Sequence, residues 1–374
     1  MTYSFELGPI RPPSESSSLL IRATRNCPWN RCKFCPNYKG EKFQIRSVAE
    51  IKQDILSARF IADRITELSS AANTRSGRFW HLNDIDSQSF QHVALWLRGG
   101  GSTAFLQDAN SLIMKTAGLV EVISFLKQTF PALDRITSYA RSETAARKSL
   151  EELKELHQAG LSRLHIGLES GYDPILQFID KGVTTADNIA GGKKVVASGI
   201  SLCEYVVLGL GGREMGQEHA RQTAMVLNEI DPDYIRVRTL AINNRMPLCA
   251  EVANGNLIRA TDEEIIIQER LMLEDLTCHS HFVSDHITNL LQDMEGKLPE
   301  DKEKMLSCID RFLALPPAEK TNFEVGRRTG IYHTLDDLNN ARRHEAAEQA
   351  VYQLRNGSKE PDEKIIFALM EAFV

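Results

Sequence analysis

The chain has little net charge, no long apolar run and no regular pairing of cysteines. Its 374 residues carry a formal net charge of −6, which offers no electrostatic footprint for nucleic acid or an anionic membrane. No segment approaches the length of a membrane span. The first residues lack the basic stretch and following apolar run of a secretion signal. We therefore expect a cytoplasmic protein without a membrane or nucleic-acid partner.

Internal repeats and low-complexity tracts are also missing, which excludes a repeat protein. The composition, 42% hydrophobic and 25% charged, is ordinary for a globular protein. A chain of this length predicts roughly two domains, or one barrel with an appendage.

Three of the seven cysteines lie within nine residues, as Cys27, Cys32 and Cys35. Thiolates at such short spacing are typical ligands of an iron–sulfur cluster. Three thiolates on a cluster of four irons leave one iron open, and a small molecule can bind there, as at an open catalytic metal site. We predict that this loop binds a cluster through the three cysteines.

Other interpretations of the loop remain. An odd number of cysteines argues against a disulfide framework. A structural zinc site needs four ligands, and no second Cys-x2-Cys pair or nearby partner occurs. A catalytic zinc with three thiolates stays open as the alternative.

Apolar strand patterns alternate with helical patterns over the first two thirds of the chain. The predicted strands cover about 18–25, 103–106, 135–140, 163–168, 202–208 and 234–240. Such alternation with short connections predicts a parallel α/β architecture. In barrels of this kind the chemistry lies at the carboxyl ends of the strands. Polar or glycine residues follow these ends: Asp108, Asn110, Ser138, Arg141, Glu169 and Gly209.

After about residue 250 the alternation stops, and helical patterns take over. We predict helices from Thr261 through about 276 and at roughly 283–295, 300–314, 335–357 and 360–372. The expected domains are an N-terminal arm (1–17), a core (18–250) and a helical C-terminal region (251–374). This region contains a stretch rich in cysteine and histidine: Cys278, His279, His281 and His286. We expect these to be ordinary buried or surface side chains. A second metal site and substrate contacts are the alternatives.

The cysteine loop resembles the cluster-binding loop of the radical S-adenosylmethionine (radical SAM) superfamily. An aromatic residue usually precedes the last cysteine there, and Phe34 takes that place. The usual spacing is Cys-x3-Cys-x2-Cys, whereas this chain has four residues in its first gap. The stretch Gly167 to Gly171 resembles a strand motif of the methylthiotransferase- and coproporphyrinogen-dehydrogenase-like branch.

The resemblance implies a partial (β/α)6 TIM-like barrel over residues 18–250. It implies a 4Fe–4S cluster on the three cysteines, S-adenosylmethionine, and an electron donor such as flavodoxin or ferredoxin. The reaction it implies is reductive cleavage of S-adenosylmethionine to a 5′-deoxyadenosyl radical, which abstracts hydrogen from a small-molecule substrate.

The resemblance also suggests cofactor contacts. Asp108 is the candidate acceptor for the amino group of S-adenosylmethionine, although Gly99 to Gly101 offers a rival alignment. Arg141 is the candidate to bind the carboxylate of S-adenosylmethionine, and Glu169 is expected to lie beside the cofactor. The remaining candidates for the cofactor site are Phe34, Asn110, Ser138 and Gly209. For each charged candidate, a helix cap or a surface ion pair is the ordinary alternative.

Two other functions remain as alternatives. A radical SAM enzyme that modifies RNA is disfavoured by the net charge, and a zinc- or cluster-stabilised binding protein would perform no radical chemistry. No cobalamin-binding pattern precedes the barrel and no ligand set for a second cluster is evident, so a cobalamin methyltransferase or a sulfur-inserting enzyme is not favoured.

Overall fold

The computed structural model describes residues 2–72, 84–358 and 360–372. The chain divides into two compact units. The first comprises Met1–Asn30, Asn37–Ile166 and Lys194–Leu202; the second comprises Arg31–Pro36, Gly167–Lys193 and Cys203–Val374.

The strands, in chain order, are β1 (Leu19–Arg22), β2 (Thr24–Arg25), β3 (Gln44–Ile45), β4 (Thr103–Gln107), β5 (Arg135–Ala140), β6 (Leu161–Glu169), β7 (Ser201–Leu208), β8 (Tyr234–Thr239), β9 (His281–Val283) and β10 (Glu295–Lys297). The α-helices are α1 (Val48–Ala72), α2 (Ser87–Arg98), α3 (Thr116–Thr129), α4 (Ser142–Arg147), α5 (Leu150–Ala159), α6 (Asp173–Phe178), α7 (Thr185–Ala197), α8 (Gly216–Ile230), α9 (Leu248–Ala253), α10 (Asp262–Asp275), α11 (Lys302–Leu313), α12 (Pro317–Arg328), α13 (Ala341–Gly357) and α14 (Asp362–Glu371). Short 3₁₀ helices cover Pro13–Glu15, Ser111–Ile113 and Leu335–Asn339.

Parallel strands form the centre of the first unit, in the order β1-β4-β5-β6. Leu19 pairs with Ala104, and Ala104 pairs in turn with Ile136. The central positions of β4 are fully buried, including Phe105 and Leu106, as expected for a parallel strand covered on both faces. Their carboxyl ends therefore lie at one edge of the sheet, where β1 leads to Cys27 and β4 leads to Asp108.

The second unit contains β7 from Cys203 onward, together with β8 and β9, in parallel, and β10 is antiparallel to β9. Seven consecutive positions of β7, Leu202 to Leu208, are buried. Helix α8 packs against α10. Helix α10 begins with a capping box, in which the Thr261 side chain accepts from the backbone N–H of Glu264 and the Glu264 side chain accepts from that of Thr261.

The predicted α/β class is confirmed, and a strand lies at each of the six predicted places. The helix predicted over 283–295 is wrong, because turns and irregular backbone connect β9, which ends at Val283, to β10, which begins at Glu295. The segment between them is fixed by Asn289, which accepts from Thr239 N–H over 2.7 Å and donates to the Val237 carbonyl over 2.8 Å. Such side-chain bonds to the backbone compete with helix formation.

Two further details of the C-terminal region differ from the prediction. Helix α12 was not predicted; it begins at Pro317, which suits the first helical position. The helix predicted over 335–357 is divided, because Asn340 caps α13 by accepting from the N–H of Arg343. Among the described residues, no helix is long and apolar enough to cross a membrane.

Candidate functional site

Asp108 fixes the start of the cysteine loop within the first unit. Its buried carboxylate accepts from Arg22 Nη2 over 2.8 Å and from the backbone N–H of Asn26 over 3.1 Å. The hydroxyl of Tyr38 also donates to it. Asn26 has a φ of 66°, a left-handed conformation that asparagine tolerates better than most residues. Asp108 therefore ties the residue before Cys27 to the ends of β1 and β4.

The sulfur of Cys27 accepts a backbone hydrogen bond inside the same loop. The donor is the N–H of Asn30, 3.4 Å from Sγ. Asn30 has a φ of 48°, and its side chain donates to the carbonyl of Glu41 over 3.3 Å. Hydrogen bonds to cysteine sulfur are among the factors that tune iron–sulfur clusters, so the loop holds an N–H donor suited to a bound thiolate.

The segment with Cys32 and Cys35 belongs to the second unit. Lys33 lies between two backbone bonds: its N–H donates to the Ile179 carbonyl over 2.8 Å, and its carbonyl accepts from Leu248 N–H over 2.9 Å. Phe34 packs against the buried cluster that contains Ile179. Phe34 thus anchors the segment through apolar packing, a role that is compatible with its predicted place beside the cofactor.

Glu169 ends β6 with a φ of 62° and forms an ion pair with Lys181, whose ammonium lies 2.7 Å from Oε1. Both residues are buried. The ammonium also lies 5.8 Å from the centre of the Phe34 ring. A Cβ at position 167 would overlap the Glu169 carboxylate, so Gly167 is needed for this arrangement. The sequence motif located Glu169 but gave no indication of Lys181.

A buried carboxyl on β7 lies in the electrostatic environment of this pair. Burial raises the pKa of Glu204 well above its ordinary value, and the negative charge of Glu169 raises it further, against the opposing effect of Lys181. Burial and the neighbouring negative charge therefore both favour the protonated form of Glu204. Glu204 is the only acidic residue of the apolar strand β7. This feature of the sequence could have indicated a special role for Glu204, but we did not predict one.

His219 fixes the loop after Glu169. Its Nδ1 lies 2.8 Å from Ser170 Oγ, and its Nε2 lies 3.1 Å from the Val207 carbonyl. Burial lowers the pKa of His219 to about 4, so the ring is neutral at pH 7. In that state Nε2 donates to the carbonyl and Nδ1 accepts from the serine hydroxyl.

A cavity of about 430 Å³ lies beside the first half of the cysteine loop, within the first unit. Trp29 and Arg141 line it. The guanidinium of Arg141 lies 5.4 Å from the centre of the Trp29 ring and 3.8 Å from the Glu143 carboxylate. Asn110 positions this arginine by accepting from its backbone N–H over 3.2 Å and donates to Thr144 over 2.8 Å. A buried guanidinium in a cavity is suited to bind an anionic group.

Ser138 and Gly209 make contacts that stabilise the fold. Ser138 donates to the Leu106 carbonyl over 2.9 Å. Gly209 has a φ of 88° and donates its N–H to Gln268 over 3.1 Å. Their predicted cofactor contacts stay predictions.

In the described part of the chain, Cys308 and the Cys/His-rich stretch are not grouped as ligands of a second metal site. Burial raises the pKa of Cys308 to about 12 and raises that of Cys278, so both are protonated thiols at pH 7. His279 lies 3.3 Å from Asp231, whereas His281 lies 2.9 Å from Glu295. His286 lies 2.7 Å from Thr288.

None of the seven cysteines forms a disulfide. In the described part of the chain, no three Cys, His, Asp or Glu side chains form a metal-ligand group. The metal-binding role of Cys27, Cys32 and Cys35 therefore stays a prediction from the sequence.

The sequence profile of a family described as "Radical SAM superfamily" matches residues 21–224, more than half of the chain. A 4'-phospho-dehydrooxetanocin synthase from Priestia megaterium is 27% identical over 192 residues. That match covers 50% of this chain and 22% of the relative, so the chain spans about a fifth of the length of that protein.

Solved structures with similar folds include three radical SAM enzymes. The methyltransferase TsrM from Kitasatospora setae, with cobalamin and a [4Fe-4S] cluster bound, is 12% identical, with 96% of this chain and 66% of that chain covered and a TM-score of 0.46. Methylornithine synthase (PylB) is 15% identical; the match covers 70% of this chain and 63% of that chain, with a TM-score of 0.41. Coproporphyrinogen III oxidase (HemN) from Escherichia coli is 11% identical; the match covers 73% of this chain and 78% of that chain, with a TM-score of 0.33.

Proposed function

The chain belongs to the radical SAM superfamily of enzymes, and we propose that its own reaction abstracts hydrogen from a small-molecule substrate. Enzymes of this family use a 4Fe–4S cluster and S-adenosylmethionine, and their core is the partial barrel that the resemblance implied. The observation that carries the proposal is the three-cysteine loop that follows β1, where Asn26, the residue before Cys27, donates its backbone N–H to the buried carboxylate of Asp108.

The number and type of the three thiols suit a cluster, although they are not gathered as a ligand group among the described residues. Cys27, Cys32 and Cys35 would supply the thiolate ligands, and the backbone N–H of Asn30 already donates to the sulfur of Cys27. Cys278 and Cys308 remain protonated at pH 7 because burial raises the pKa of each, so neither supplies a competing thiolate. When bound and reduced, the cluster with S-adenosylmethionine supplies the 5′-deoxyadenosyl radical that removes a hydrogen atom from the substrate.

We assign the cofactor contacts by charge. Arg141 would hold the carboxylate of S-adenosylmethionine in the cavity beside Trp29. Glu169, held by Lys181, would accept hydrogen bonds from hydroxyl or amino groups of the cofactor. Asp108 would act chiefly by positioning the loop, because Arg22, Asn26 and Tyr38 already donate to it.

The substrate we propose is a small molecule, with flavodoxin or ferredoxin as the electron donor. The formal net charge of −6 supports this choice over RNA, because RNA binding usually requires a basic surface. Salt-sensitive RNA binding at submicromolar affinity would favour the RNA-modifying alternative.

The test is anaerobic reconstitution with iron and sulfide, followed by reduction and an assay for 5′-deoxyadenosine. We expect about four irons per chain and release of 5′-deoxyadenosine from S-adenosylmethionine. Cys32→Ser should lose both the iron and the release of 5′-deoxyadenosine, whereas the matched control Cys308→Ser should retain both. Stoichiometric zinc without a cluster, and no cleavage, would instead identify a metal-stabilised binding protein.

A further inference from the structure

A second cavity lies in the C-terminal part of the second unit, outside the segment matched by the family profile. Its volume is about 250 Å³. The first turns of α10 and α14 and one face of α12 line it. Five of its lining residues are acidic: Asp262, Glu263, Glu324, Asp362 and Glu363.

Four of these carboxylates are neutralised by a basic partner. The N–O distances are 2.7 Å for Asp262–Arg328, 2.5 Å for Glu263–Lys320, 2.5 Å for Asp362–Arg355 and 2.8 Å for Glu363–Arg213. Each of these four carboxylates already has a basic partner, so none of them requires a cationic ligand.

Glu324 differs from the other four. It lines the cavity and is only 8% exposed, and its carboxyl has neither a hydrogen bond nor an ion pair with any residue that the structure describes. Burial raises the pKa of Glu324 to about 8, helped by Asp262 and Glu263 and opposed by Arg328 and Lys320. A buried carboxyl without a partner is costly, and a cationic ligand would supply the missing partner.

The remaining walls of the cavity limit the kind of cation. Pro317, Ile366 and Phe367 provide an apolar surface, which suits a short alkyl chain. Among the described residues, no group of three or more Cys, His, Asp or Glu side chains is arranged to hold a metal ion, which disfavours a divalent metal. We propose that this cavity binds a small primary alkylammonium, with its nitrogen on Glu324 and its alkyl chain against Ile366 and Phe367.

The test is calorimetric titration of the full chain with n-butylammonium chloride. We expect saturable binding at pH 8.5. Glu324→Gln removes the charge at nearly constant volume and should weaken binding at least tenfold. The matched control Glu345→Gln changes an exposed carboxylate on α13 and should leave the affinity unchanged.

The wild-type protein tests the same proposal without any substitution. Only the ionised Glu324 pairs with the ammonium, so the affinity follows the ionised fraction and should rise about tenfold between pH 7 and pH 9. The ligand stays charged over this range, since alkyl ammonium groups titrate near pH ~10.4. The other charged groups around the cavity are Asp262 and Glu263 on α10, Asp362 and Glu363 on α14, and their four basic partners.

Two other probes separate this site from general attraction of cations. Tetramethylammonium, which has no N–H donor, and Mg²⁺ should both bind at least tenfold more weakly than n-butylammonium. The proposal is overturned if wild type shows no saturable binding at pH 8.5, if Glu324→Gln binds as tightly, or if the affinity does not change with pH. None of these outcomes bears on cluster content or 5′-deoxyadenosine formation.

Discussion

The ammonium of Lys181 lies 2.7 Å from the carboxylate of Glu169, and both residues are buried. Glu204 on β7 lies in the same electrostatic environment, and burial together with the charge of Glu169 raises the pKa of its carboxyl well above the ordinary value. The single ammonium of Lys181 thus pairs with Glu169 at the end of β6 and opposes the rise in the pKa of Glu204 on β7.

Replacing Lys181 by methionine should destabilise the fold. The substitution leaves the Glu169 carboxylate buried without its partner, and breaking a buried ion pair in this way costs about 3–5 kcal/mol. Urea unfolding at pH 7 measures this loss. Lys181→Arg keeps the positive charge and should recover most of the stability, and a Lys181→Met variant as stable as wild type would show that the pair is not energetically important.

Asp108→Asn should reduce cluster content more than it changes the fold. An amide cannot accept from Arg22 and Asn26 as a carboxylate does, so the start of the cysteine loop loses its anchor. Loss of such a supporting contact typically lowers metal affinity by about 10–100-fold. Iron per chain after anaerobic reconstitution measures the effect. Asp63→Asn on α1, whose side chain is 48% exposed and pairs with Arg59, serves as the control.

The same variant distinguishes the two roles of Asp108. If Asp108→Asn retains full iron but binds S-adenosylmethionine weakly, the residue is a direct cofactor contact. Tyr38→Phe, which removes one donor and keeps the carboxylate, should lose less iron than Asp108→Asn.

Local patterns in the sequence were sufficient to place a loop with three cysteines after the first strand and to locate the strands of the α/β core. The three cysteines lie within nine residues, and strand β7 has seven buried positions in a row. Glu169 was located in the same way, because it ends a recognisable motif on β6. These features depend only on residues close together in the chain.

Features that depend on distant residues were missed. Lys181 meets Glu169 across α6, and His219 approaches Ser170 from α8. The helix predicted over 283–295 failed for a similar reason, since Asn289 bonds to the backbone of β8, 50 residues away. Hydrophobic periodicity carries no information about such partners.

Glu269→Gln should make the protein less sensitive to rising pH. Burial raises the pKa of Glu269 to about 7, whereas an unfolded glutamate titrates near ~4.3. Between these values the folded state binds more protons than the unfolded state, so the free energy of unfolding falls as pH rises. The glutamine variant lacks this fall and should equal wild type near pH 4 and exceed it by about 3 kcal/mol at pH 8.

Urea unfolding across that pH range checks the prediction. Glu303→Gln, an exposed residue on α11, should follow the wild-type curve. A Glu269→Gln curve parallel to wild type would mean that Glu269 titrates normally in the folded protein.

Arg141→Lys should weaken binding of S-adenosylmethionine while leaving the iron content unchanged. Lysine keeps the charge but loses the planar guanidinium, which lies 5.4 Å from the Trp29 ring centre and can bind a carboxylate through two parallel hydrogen bonds. We expect an increase in Kd of about tenfold, because one charge-assisted hydrogen bond contributes about 1.5–3 kcal/mol. Equilibrium dialysis on the reconstituted protein measures the Kd for S-adenosylmethionine.

Arg147→Lys is the matched control, since Arg147 lines the same cavity but is 78% exposed. Equal losses in the two variants would indicate a general effect of charge in the cavity, and no loss in Arg141→Lys would place the carboxylate contact elsewhere.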